Sequence, residues 1–263
     1  MIGKSHYRIA EFVLRNLTGP WAPLLEHHRE ALDVGLEVPD KFMIWHPDPE
    51  PPSSAGPQPG TLVHRFYLDA ENEPRGQLIQ MILMYTGGVS AFAVDLGDDE
   101  DMRDMTRDMV LYTGILIHFL GDLCTPLHVG CSRDELLKGI LGQRHHQKIE
   151  ERFWRRQRKF EPEHIPRFPS CSLDEEWLME RVRETHVDYL ALPSALVKGK
   201  GDLLREISER ALTRSVAVAV AWLEAMSAEE NTGRALARLS ASPFSLPLQE
   251  RDRPPERSSG EIS

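Results

Sequence analysis

Apolar residues recur along most of this chain with a helical period. In SHYRIAEFVLRNL, Ile9, Phe12, Val13 and Leu17 fall on one face, and Gly19-Pro20 ends the pattern. A second helix is expected from Leu24 to about Asp33, running up to GLEVPDKFMIW. Next comes HPDPEPPSSAGPQPG, so rich in Pro, Gly and Ser that residues 46–60 read as a surface loop. TLVHRFYLD is short and fits a strand or an extended segment. Gln77 to Asp95 is a long apolar stretch, and GDDEDMRDM then supplies an acidic helix start that suits the helix dipole. The helix that follows runs from Met109 to Cys124, and Pro126 breaks it. Further helices are expected at about 133–158, 173–190 and 202–228. In the last of these, Leu212, Val216, Val220 and Leu223 form a core-facing stripe. The whole reads as one all-α, multi-helix domain over residues 1–230, with a polar, Pro-rich and disordered tail over 240–263.

Composition narrows the class. The 263 residues are 41% hydrophobic, enough for one sizeable core. No apolar run approaches the ~18 uncharged residues of a membrane span, so no transmembrane segment is expected. The first residues carry charge every few positions and lack a signal-peptide hydrophobic region, which as written predicts a cytoplasmic protein, or a secreted one if the gene start lies elsewhere. Three scattered cysteines imply neither a disulfide framework nor a thiolate zinc clasp. A formal charge of −10 gives no help in binding polyanions, which makes nucleic acid the less expected partner.

One stretch departs from this ordinary picture. ILIHFLGDLCTPLHVG, residues 115–130, puts two histidines and an aspartate into one of the most apolar runs. Burying such groups is costly unless something pairs with them. Either His118, Asp122 and His128 find partners elsewhere in the fold, or they hold a metal. His118 and Asp122 are four apart, so a helix stacks them on one face. Pro126 then turns the chain and lets His128 approach from another direction. RHHQKIEERFW repeats the spacing with His146 and Glu150. Imidazole and carboxylate donors without thiolates suit catalytic zinc better than structural zinc. Met81, Met84, Met102, Met105 and Met109 read as core filler. His27, His28, His46, His164 and His186 read as surface or loop residues, and Trp45 and Phe66 as core positions close to the proposed ligands.

HFLGDLCTPLHVG also resembles the signature of the zinc-dependent phospholipases C and of the related fungal single-strand-specific nucleases. The resemblance spans about residues 1–155. It implies the multi-helix fold of that superfamily and a centre of two to three zinc ions. One zinc would take Asp40, His64, His118 and Asp122, and a second His128, His146 and Glu150. A third would take His6, the other oxygen of Asp122, and the amine and carbonyl of Met1, where the family's secreted members carry a tryptophan. Asp40, from GLEVPD, would orient or deprotonate the attacking water, with Asp48 of WHPDP as its rival. The family's reaction is attack of a metal-bridging hydroxide on a phosphate ester.

The expected activity is therefore that of a zinc-dependent phosphoesterase of the phospholipase C type, its substrate a phosphate ester, phospholipids included. Glu150, where the nucleases usually carry Asp, favours this branch. So does the lack of an Asp-x-Gly-Gly-Asn segment between His128 and His146. The alternatives are a single-strand nuclease or nucleotidase using the same metals, and a non-catalytic helical scaffold.

Overall fold

The computed structural model describes residues 4–43, 64, 66–68, 74–95, 102–130, 135–142, 145–197 and 200–241. Met1, Trp45, His46, Asp48, the 46–60 loop and positions 242–263 lie outside them. In chain order the elements are α1 (Lys4–Asn16), α2 (Trp21–His27), α3 (Arg29–Val38), a π-helical turn (Pro39–Met43), β1 (Phe66–Leu68), β2 (Pro74–Gly76), α4 (Leu78–Asp95) and α5 (Met102–Leu123). A 3-10 turn (Pro126–His128), α6 (Glu135–Leu141), α7 (His145–Gln157), α8 (Glu175–Leu196), α9 (Gly201–Ala228) and α10 (Glu230–Ala241) follow. The described chain is thus mostly helical. Its strands form a single antiparallel pair in which Tyr67 faces Arg75.

Several boundaries differ from those the apolar pattern predicts. The expected helix over 24–33 is two helices, parted at His28, whose φ of −103° and ψ of 37° leave the helical region. The segment over 133–158 is also two helices. Gly142 adopts a left-handed φ of 71° and its N–H closes onto Lys138 O at 2.6 Å, a common way to end a helix. α8 carries on through Pro193 to Leu196. α10 lies beyond the last helix that the apolar pattern predicts, and with it the helical body continues to Ala241, packed on α4 and α9.

α5 is the central element, packing against α3 and α4 and also meeting α1 and α9. From Thr113 to Cys124 every residue is buried, the mark of a helix enclosed on all sides. That is why His118 and Asp122 lie in the interior. α3 reaches α5 closely because glycine faces glycine: a Cβ on Gly35 would stand 2.1 Å from Leu111 O, and one on Gly114 2.5 Å from Leu32 O. Leu212, Val216, Val220 and Leu223 of α9 are buried as the stripe predicts. α9 is the described helix long and apolar enough to cross a membrane, and it is mostly covered by its neighbours as a core helix. Phe66 and Met109 are core residues, whereas Met84 is 57% exposed on α4, where the pattern had read core.

A second apolar cluster lies under α6 and α7. Ile149 and Phe153 of α7 pack there with Leu127, Leu192, Leu204 and Ile207. Seating α7 by that face leaves His146 and Glu150 on its neighbouring face, where both meet His128 of the 3-10 turn.

Candidate metal centre

Eight of the predicted ligands converge. His6 comes from the first turn of α1, Asp40 from the π-helical turn, and His64 from just before β1. His118 and Asp122 come from α5, His128 from the 3-10 turn, and His146 and Glu150 from α7. They form three groups whose ligand atoms lie within 4.8 Å of one another: His6, His118 and Asp122; Asp40, His64 and His118; His128, His146 and Glu150. The last group is the set the resemblance implies. In the other two, His118 is shared, while Asp122 groups with His6 rather than with Asp40. Met1 and Asp48, the remaining candidates, fall outside the described residues.

Asp122 is the hub. Its Oδ2 lies 2.8 Å from His64 Nδ1 and 3.3 Å from His118 Nε2. Its Oδ1 lies 3.5 Å from His6 Nε2 and 3.6 Å from His128 Nε2. On the α7 side, Glu150 Oε1 sits 2.7 Å from His146 Nε2 and 3.7 Å from His128 Nε2.

Backbone carbonyls set the orientation of three rings. His118 Nδ1–H donates to Leu36 O at 2.8 Å, His64 Nε2–H to Pro39 O at 3.1 Å, and His128 Nδ1–H to His64 O at 2.7 Å. Such outward bonds leave the inward nitrogens as lone-pair atoms, the arrangement found behind metal-ligating histidines. His64 Nδ1 and His118 Nε2 then face each other at 3.4 Å, with Asp122 Oδ2 beside both. Three acceptors aimed at one place require a cation between them, either a proton or a metal. His6 adds a further donor set to spare: its ring stacks on His118 at 3.7 Å, and its buried Nδ1 has no hydrogen-bond partner. The donor types and the convergence both fit a divalent metal.

Electrostatics follow from burial and crowding. Burial, then the neighbouring His118, pushes His6 down to about 3, so it stays neutral. Burial opposes charge on His118 as well, but Asp122 and Asp40 outweigh it and hold His118 above its ordinary value. Burial would raise Asp122 and Glu150, yet the adjacent imidazoles hold Asp122 well below the usual carboxylate range and Glu150 far below it. Asp40 is raised, chiefly by burial. These shifts predict acid sensitivity of the metal-free protein. An unfolded histidine binds its proton near pH 6.5, so below that pH the unfolded state gains a proton that His6 refuses, and stability falls as pH drops. From pH 6.5 to 5 the loss from His6 is roughly 1.5 kcal/mol. His118 adds no slope there, since its contribution is lost only as pH rises, and the two carboxylates act only at lower pH. Urea midpoints at both pH values for wild type and His6→Gln test this. Equal slopes for the two proteins would mean that His6 is not the group responsible.

A cavity of about 130 Å³ opens over the centre, lined by His6, Asp40, Asp122, His128 and Glu150 together with Gln147, Glu151, Trp154, Gln157 and Ser215. The second set escaped sequence reading, although Gln147, Glu151 and Trp154 lie within a turn or so of His146 and Glu150 on one helix. His186, expected at the surface, is half-buried, and its Nδ1 lies 3.0 Å from Val129 O. No protein-family model matches this chain, and no curated protein matches it either.

Proposed function

We propose that this chain is a metal-dependent hydrolase of phosphate esters, with zinc as the metal and a phospholipase C-like reaction. The observation that carries this reading is the meeting of His64 Nδ1, His118 Nε2 and Asp122 Oδ2, three acceptors with one cation's place among them. The resemblance of His118–Gly130 to the zinc phospholipase C signature supports the same class. His6, Asp40, His64, His118, Asp122, His128, His146 and Glu150 would hold the ions. Zinc bound there would neutralise phosphate oxygens and lower the pKa of a water toward 7.

The chain's own residues supply the rest. Asp40 lines the cavity and is raised by burial, which makes it the better proton acceptor. It takes the proton from the water whose oxygen attacks phosphorus. The P–O bond to the alcohol breaks, and the alcohol leaves with a proton returned from Asp40. Trp154, Gln147 and Glu151 border the space for that alcohol.

Elemental analysis of protein without a leading tag, followed by zinc titration of chelator-stripped protein, tests the reading. About two to three zincs per chain and zinc-dependent hydrolysis of a choline-phosphate ester are expected. Preference for single-stranded DNA would move the activity to the nuclease branch. No bound metal would sink the enzyme reading and leave a buried polar network on a helical scaffold.

A further inference from the structure

Tyr7 follows His6 on α1, while Glu37 and Lys41 flank Asp40 at the end of α3. The Tyr7 hydroxyl donates to Glu37 Oε1, and the Lys41 ammonium donates to Glu37 Oε2. Glu37 is thus an ionised acceptor for both, its carboxyl held below the usual range first by Lys41 and then by Tyr7. None of the three lines the cavity over the centre.

What they join is the point of interest. α1 packs mainly on α9 and α5 and meets α3 only sparingly. Tyr7–Glu37–Lys41 is therefore the polar tie, among the described residues, between two elements that approach His118 from different sides. On one side α1 stacks the His6 ring on His118. On the other, the end of α3 supplies Leu36 O to His118 Nδ1, and the π-helical turn supplies Pro39 O to His64 Nε2 and the Asp40 carboxylate 3.8 Å from His118 Nε2. Lys41 pairs with Glu37 across the change from α- to π-helical winding, so the tie also braces the turn that aims Asp40.

We infer that Tyr7 and Glu37 are positioning residues that set how His6 and Asp40 stand about His118, and through that the metal affinity of the buried half of the centre. This rests on the metal-centre reading above. Partners that orient ligands without touching the ion change metal affinity by about 10–100-fold when removed. Tyr7→Phe keeps the ring and loses the donor; Glu37→Gln keeps the size and loses the charge.

The test uses full-length, chelator-stripped protein titrated with Co²⁺ and followed by its visible absorption. Tyr7→Phe should weaken one class of site by about tenfold and alter its band intensity. Binding by the His128, His146 and Glu150 group should stay as in wild type. The double variant should bind no more weakly than the weaker single one, because both substitutions cut the same link. Should Tyr7→Phe fail to fold, Glu37→Gln, at a less buried position, carries the measurement alone. Titrations that superimpose on wild type would overturn the positioning role and leave the metal centre standing. A wild-type protein that takes up no Co²⁺ would sink both.

Discussion

If the proposed metal-dependent reaction is right, Asp122→Asn should leave a folded chain that no longer retains metal and should lower phosphoesterase activity by about a hundredfold or more. The substitution preserves shape but removes the charge that four imidazoles share, two at each carboxylate oxygen. An amide presents one oxygen, and its NH₂ group would donate to the lone pairs of the imidazoles at the other position and block an ion there, so the pairs at Oδ1 and Oδ2 cannot both keep a metal. The metal-free protein should also lose stability, because the buried imidazoles lose the carboxylate they pair with. The metal-bound protein should lose its whole linkage stabilisation, which is about 2.7 kcal/mol at a hundredfold excess over Kd. Melting curves with and without zinc separate the two effects. A variant that still gains thermal stability on adding zinc would show that the ions are held elsewhere.

The largest loss of stability is expected at a residue with no side chain. Gly35→Ala puts a methyl group 2.1 Å from Leu111 O, a backbone atom that cannot rotate away. α3 must lift from α5, at a cost of about 3 kcal/mol. As it lifts, Leu36 O leaves His118 Nδ1, so metal affinity should fall with stability although no ligand has changed. Gly87→Ala is the control. An added Cβ there meets nothing within 4 Å, and alanine is the better helix former. Urea titrations of both variants decide the matter. A loss below about 0.5 kcal/mol for Gly35→Ala would mean that the two helices have room to separate.

Much of this was legible in the residues. The spacing of Ile9, Phe12 and Val13 marked α1, and the Leu212–Leu223 stripe marked α9. Two acid–imidazole pairs four apart each mark one helix face, because helical spacing is local and survives whatever the rest of the fold does, and the resemblance is what implied that the two pairs share a centre. The misses have physical reasons. Apolar period does not report a left-handed glycine, so Gly142 hid the gap between α6 and α7. It reads an apolar side chain as buried even where the helix turns it outward, as at Met84. Gly35 and Gly114 carry no side chain and so no signal, although they let α3 approach α5 closely beside the site. Trp154 and Gln157 are ordinary helix residues until they are seen to line the same cavity as Glu150.

Leu36, Pro39 and His64 anchor the inward-facing rings through their carbonyl oxygens. A carbonyl cannot be mutated away, so the chemical identity of positions 36 and 39 is free to drift while the path of the main chain is not. Mutational scanning should accordingly find these positions tolerant of apolar exchange and intolerant of one-residue insertions or deletions between 35 and 40. The aim of the imidazoles is then inherited with the fold, and comparison of polar residues alone would overlook what holds it.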